Sequence, residues 1–185
     1  MTKKKLVIAI SGPPGVGTST ISKEVAKRLN LRYFSPGSYY KKLFGKENVN
    51  SVVKGWETEL GSSEELHRRI DEMQIIEAKK GNVVICGKLS FFFLKDLARV
   101  KIWLDAPLDV RARRTAERDG ISLEDAKEKI RKRERSEREG WKKIYGIDYF
   151  QLKKMADLVL DTSNLSVKET VERVMEFIKK KLSSK

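Results

Sequence analysis

Between Leu6 and Leu29 an apolar run, Leu6 to Ile10, breaks into Gly12-Pro13-Pro14-Gly15-Val16-Gly17 and resumes at Thr18-Ser19-Thr20 with Ile21, Val25, Ala26 and Leu29 at helical spacing. The order is strand, glycine-rich turn, helix. Read from Gly12 to Ser19, the turn keeps both glycines and the final hydroxyl of the pattern G-x-x-x-x-G-K-[ST]. The residue types fit an anion. Glycine reaches positive φ and lets the backbone approach closely. Successive N–H groups then point inward at phosphate oxygens, and the helix behind adds its positive end. Gly12, Pro13, Pro14, Gly15, Val16, Gly17, Thr18, Ser19 and Thr20 are therefore the candidate phosphate-binding residues, with Ser19 where a hydroxyl ligand of Mg²⁺ belongs. One position departs. Thr18 stands where the pattern has lysine, so a cation for the phosphates must come from elsewhere in the chain.

Chain length and charge bound the rest. A chain of 185 residues suits one domain over residues 1–185. No apolar run approaches the ~20 residues of a membrane span, and the basic start MTKKK leads into a strand rather than a signal peptide. The lone cysteine, Cys86, cannot form a disulfide within the chain and suits a reducing cytoplasm. The lone histidine, His67, leaves no His/Cys cluster for zinc and reads as a solvated surface residue. A formal net charge of +14 favours anionic partners.

Strands alternate with helices along the chain. Leu31 to Phe34 is short and β-prone, and Ser35-Pro36-Gly37-Ser38 starts a helix ending near Gly45. The stretch from Lys46 to Gly61 has no clear period. Ser62 or Ser63 caps a helix from Glu64 to Lys80 with Leu66, Ile70, Met73 and Ile76 on one face. Asn82 to Cys86 reads as a buried strand, and Phe91-Phe92-Phe93 as core packing. Arg99 to Asp105 is a further strand, with Pro107 opening a helix over Leu108 to Asp119. Ser122 begins another helix running to about Glu139, and Gly140 and Gly146 interrupt the chain beyond it. A last strand, Ala156 to Asp161, precedes an amphipathic helix from Ser166 to Lys181. This alternation predicts an α/β fold with a parallel sheet. Ligands in such sheets bind outside the carboxyl ends of the strands. That edge should gather residues 12–19, Ser35 to Lys41, Gly87-Lys88, Asp105 and Asp161.

Between Arg111 and Lys143, arginines including Arg111, Arg113, Arg114, Arg118, Arg131, Arg133, Arg135 and Arg138 interleave with Glu117, Glu128, Glu134 and Glu137. Most of these read as a salt-bridged, solvated helix pair. Arginine also suits bidentate phosphate contacts, and two helices joined at Asp119-Gly120 can close over a phosphoryl group and exclude water.

With these stretches in view, the chain resembles the nucleoside monophosphate kinases of the phosphate-loop class, most closely the archaeal type of cytidylate kinase. The resemblance rests on ISGPPGVGTST, VKIWLDAPLDVRARRTAERDGISLEDA, IRKRERSEREGWKKIYGID and ADLVLDTSNLSVKETVERV, and covers nearly the whole chain. It implies a three-layer α/β/α phosphate-loop NTPase fold around a five-stranded parallel sheet, with nucleotide-binding helices over about residues 35–80 and an Arg-rich lid over about residues 111–143. It implies MgATP on residues 12–20, with Ser19 near Mg²⁺. It implies CMP, or another nucleoside monophosphate, held by Ser35, Gly37, Lys41, Asp71, Gly87 and Lys88. Asp71 would sit near the acceptor base, Lys41 and Lys88 would grip the acceptor phosphate, and Arg133 and Arg138 would act on the moving phosphates. Some members also carry Gly-Thr at the loop. Three positions differ from the usual family pattern: Lys41 and Lys88 replace arginine, and Cys86 replaces a residue that is often acidic. The reading is a cytoplasmic, monomeric ATP:CMP phosphotransferase. Two alternatives stay open: a kinase acting on another monophosphate or an RNA end, and a non-catalytic nucleotide- or RNA-binding homologue. RNA is the less favoured partner because acids interleave with the basic residues.

Overall fold

The computed structural model describes residues 5–45 and 49–184. Five parallel strands form one sheet in the order β2-β3-β1-β4-β5. They are β1 (Val7–Ser11), β2 (Arg32–Phe34), β3 (Val83–Cys86), β4 (Val100–Asp105) and β5 (Leu158–Asp161). The expected α/β fold is the observed one. β1 lies at the centre, in register with β3 at Ile10↔Cys86 and with β4 at Ile10↔Ile102. Every residue of β1 is buried because both faces of the sheet are covered.

The period of two in β1 divides the core. Ile8 and Ile10 face α1 (Thr18–Leu29) and α9 (Val167–Ser183), packing with Ile21, Val25, Val171, Val174 and Ile178. Val7 and Ala9 face the other side, with Ile85, Phe91, Leu94, Trp103 and Tyr149. Tyr149 and Leu152 belong to a 3₁₀ helix, Tyr149–Met155, in a stretch whose sequence shows only its glycine breaks. Of the three consecutive phenylalanines, Phe91 is buried in the short α6 (Ser90–Phe93), whereas Phe92 is 42% exposed, so the expected core role holds for only part of the run.

The remaining helices sit at the carboxyl edge. α2 (Pro36–Leu43), α3 (Val49–Trp56), α4 (Glu59–Ser62) and α5 (Glu64–Lys80) rise beside β2 and β3. Ser63 caps α5, its hydroxyl accepting from the N–H of Leu66 at 3.3 Å. The buried face of α5 is not the apolar one read from the sequence. It comprises His67, Ile70, Asp71, Gln74 and Ala78, while Ile76 is exposed. His67 is thus a correction: it is buried, its ring stacked on Trp56 at 4.3 Å, with Nε2 2.9 Å from the Gly61 carbonyl. Its place is set by α3 and α4, whose packing against α5 no local spacing announces.

α7 (Leu108–Asp119) and α8 (Leu123–Tyr145) pack on each other around Ala112, Ala126 and Ile130. α8 does not stop near Glu139. It continues through Gly140 because that glycine is a packing site: a Cβ there would lie 2.2 Å from the Trp56 ring. The helix ends instead at Gly146, which takes the left-handed conformation at φ 71°. No helix among the described residues is long and apolar enough to cross a membrane.

Candidate active site

The turn after β1 takes the shape that its glycines permit. Gly12, Gly15 and Gly17 all have positive φ, at 159°, 82° and 97°. A Cβ at Gly12 would meet the Leu104 carbonyl at 2.4 Å, so the loop is pressed onto the end of β4. Gly17 has nothing within 4 Å of its Cβ position and faces open space. α1 starts there without a side-chain cap, so its first N–H groups are free to meet an anion. The loop is held from behind by arginines. Arg111 donates to the carbonyls of Pro14 and Ala106, both at 2.9 Å, and to Glu134 at 2.7 Å. Arg111 is therefore buried structure rather than part of a solvated surface. Arg114 reaches Val16 O at 3.3 Å and Thr162 Oγ1 at 3.0 Å.

Two cavities meet at this loop. One, of about 650 Å³, is lined by residues 13–21 together with Arg114, Arg118, Thr162 and Ser166. The other, of about 100 Å³, lies between the loop and helices α2, α3, α5 and α8. Thr18, Ser19, Lys41, Lys88 and Arg133 line both. The structure thus brings together every expected site residue except Arg138. Arg138 points elsewhere, its Nε 3.1 Å from Asp148 on a separate groove with Glu134 and Lys142. Asp105 and Asp161 end their strands as expected but line neither cavity; they bond to Lys153 and to Ser163.

The smaller cavity has an aromatic wall and a polar floor. Tyr40, Trp56, His67 and Trp141 form the wall, with Tyr40 stacked beside His67 at 5.5 Å. Burial pushes the His67 imidazole below its ordinary pKa, favouring the neutral ring. On the floor, the Asp71 carboxyl accepts from Gln74 Nε2 and from the Tyr145 hydroxyl, both at 2.6 Å. Gln74 is fixed in turn by the Ser90 hydroxyl at 2.7 Å. Burial raises Asp71 to about 7, against the pull of these two donors.

Charge converges where the cavities join. Arg133 Nε donates to Glu137 Oε1 at 2.8 Å, and Lys88 Nζ lies 3.9 Å from Glu137 Oε2. Lys88 also donates to the Gly12 carbonyl at 2.8 Å. Burial lowers Lys88 to about 8, with Glu137 acting in the opposite direction. The Ser19 hydroxyl lies 3.9 Å from Cys86 Sγ. Sequence reasoning missed Tyr40, Trp56, Gln74, Glu137, Trp141 and Tyr145. Only the Arg133–Glu137 pair left a trace, an i,i+4 spacing of opposite charges.

Residues 7–164 match the model of the cytidylate kinase-like family. The chain belongs to that family. It is 40% identical to the cytidylate kinase of Pyrococcus horikoshii, over 90% of this chain and 84% of that protein. It is 41% identical to the cytidylate kinase of Ignicoccus hospitalis, over 91% and 98%. Among solved structures it resembles shikimate kinase from Bacteroides thetaiotaomicron, with a TM-score of 0.61 at 20% identity over 94% of this chain and 98% of that one. Shikimate kinase from Acinetobacter baumannii in complex with shikimate gives a TM-score of 0.64 at 15% identity, over 96% and 95%. At such identities the likeness establishes a shared fold. Thr18, Lys41 and Lys88 stand where the two cavities meet, and Cys86 lines the smaller one.

Proposed function

We infer that the protein is an ATP:CMP phosphotransferase, converting CMP and ATP to CDP and ADP. The observation that carries this reading is the pair of cavities joined at one charged neck, on a chain of the cytidylate kinase-like family. The larger cavity takes the donor. Its size falls within the ~300–1,000 Å³ of small-molecule sites, and the N–H groups from Gly15 to Ser19 meet the β-phosphate. The smaller, aromatic-walled cavity takes the acceptor. The residues present fit Mg²⁺: Ser19 offers a hard hydroxyl oxygen, and no group of three or more His, Cys, Asp or Glu among the described residues forms a cage of its own. Mg²⁺ is commonly held by few protein ligands plus phosphates and water, and when bound it would neutralise charge on the donor phosphates.

In the transfer, an oxygen of the CMP phosphate forms a bond to the γ-phosphorus while the bridging bond to the β-phosphate breaks and ADP leaves. The acceptor is already an anion, so no strong base is needed. Catalysis is positioning and charge neutralisation. Lys41 and Arg133 flank the acceptor phosphate, with Ser35, Gly37 and Gly87 shaping its side of the chamber. Asp71 reads the base. An ionised carboxylate accepts from the 4-amino group of cytosine but faces the 4-oxygen of uracil, which also only accepts.

The test is turnover of MgATP with CMP, dCMP, UMP, AMP and GMP, with Ser19→Ala as the control. Turnover of CMP well above UMP, lost in the variant, is the expected result. Activity confined to AMP, whose base also bears an amino group, would replace CMP by another acceptor. No turnover on any of them, with nucleotide still bound, would overturn the kinase reading in favour of a binding protein.

A further inference from the structure

The phosphate loop lacks its lysine, yet an ammonium group lies against it. Lys88 follows β3, the strand paired beside β1, and its Nζ donates to the carbonyl of Gly12, the first residue of the loop, at 2.8 Å. The main chain at this point is fixed, because the Lys88 carbonyl accepts from Ser11 Oγ at 3.4 Å. Gly87 lets the chain turn there: a Cβ would lie 2.5 Å from Ser90 Oγ. The side chain is only 13% exposed, and its Nζ lies over the Tyr149 ring at 5.1 Å. Glu137 Oε2, buried and without a hydrogen-bond partner, faces it at 3.9 Å, too far for a hydrogen bond. A buried cation and a buried anion thus stand short of full pairing around the neck of the two cavities. Lysine suits the position as a compact charge on a flexible stem, where the fork of arginine would need two coplanar acceptors.

We propose that Lys88, reaching over from the end of β3, supplies the positive charge that the phosphate loop lacks at Thr18 and neutralises the β- and γ-phosphates of the donor nucleotide. Thr18 departs from the general phosphate-loop pattern, and Lys88 stands where the family usually has arginine, so a cation is kept across from the loop. This rests on the phosphotransferase reading and changes the part played by Lys88 from acceptor grip to donor cation. In this structure the Gly12 carbonyl holds the ammonium, with the Glu137 carboxylate facing it.

The test compares wild type, Lys88→Ala, Lys88→Arg and the double variant Thr18→Lys/Lys88→Ala. Turnover of MgATP and CMP is measured alongside calorimetric affinities for AMP, ADP, ATP and CMP, with thermal unfolding as a check on folding. Lys88→Ala should lower kcat about a hundredfold with the KM for CMP within about threefold. Its affinity for ADP and ATP should drop about tenfold while that for AMP and CMP holds. Lys88→Arg should recover only part of the loss, and the double variant should regain at least tenfold in kcat. A raised KM for CMP with kcat kept, or equal loss of affinity for AMP and ATP, would overturn the proposal. So would a folded double variant no better than Lys88→Ala. If the double variant does not fold, the AMP, ADP and ATP series in Lys88→Ala decides alone. Should wild type fail to use CMP, the phosphotransferase reading falls, and the same series still decides whether Lys88 serves the donor phosphates.

Discussion

Asp71 shows how a single buried group sets stability and, on the phosphotransferase reading, selectivity. Its raised pKa of about 7 means that the folded protein holds a proton below that pH which the unfolded chain, near the ordinary value of 3.8, has already released. Ionising Asp71 therefore costs stability progressively as pH rises from about 4 to about 7, and the cost is complete above. Asp71→Asn removes it, so the difference in Tm between variant and wild type should be larger at pH 8 than at pH 4. On the phosphotransferase reading the same titration bears on recognition, because protonation turns one carboxyl oxygen into a donor and weakens acceptance from the cytosine amino group. For wild type, kcat/KM for CMP should fall as pH drops below about 7, and this limb should be absent in Asp71→Asn. The variant should also lose about 10- to 100-fold of its preference for CMP over UMP, in keeping with the ~1–3 kcal/mol of a good base-edge contact.

At the scale of elements, α8 joins the two halves of the site. It carries Arg133 and Glu137 at the neck, Trp141 on the aromatic wall and Tyr145 on the floor. Gly140 sets how closely it approaches α3. Replacing it by alanine adds helix propensity worth about 1 kcal/mol, but the Trp56 ring occupies the space that the new methyl needs. Gly140→Ala should destabilise by about 1–3 kcal/mol net, as overpacked cores do, and raise the KM for CMP; denaturant unfolding and steady-state kinetics check both. This also marks what a sequence shows and what it conceals. The turn from Gly12 to Ser19 is legible because its conformation is decided by its own glycines. The caps at Ser63 and Ser122 are legible for the same local reason. His67, Gly140 and the polar face of α5 are not, since each is defined by an aromatic residue on another element. Lys88 could be read as a site residue from the resemblance, but the direction of its side chain depends on where β3 lies beside β1.

For the whole molecule, the contrast between the cavities implies an order of events. The larger cavity, about 650 Å³, already has room for a nucleotide, whereas the smaller one, about 100 Å³, is below the ~300 Å³ at which small-molecule sites begin. On the phosphotransferase reading, the smaller cavity has to widen, through α2, α3 and α8, to admit the acceptor nucleotide. Trp56 and Trp141 line that chamber, while Trp103 is fully buried in the sheet. CMP should change the tryptophan emission, ATP alone should change it little, and Trp56→Phe should remove most of the CMP signal.

The arginine behind the loop has a consequence for how the protein comes apart. Arg111 joins the Pro14 carbonyl to Glu134 of α8, so the loop and the root of the two Arg-rich helices share one guanidinium. They should open as a single cooperative unit. In native-state hydrogen exchange, the amides of α7 near Arg111 and of α8 near Glu134 should lose protection together with those of α1 from Ile21 onward, the first with a helical hydrogen bond, and Arg111→Met should release all three at once.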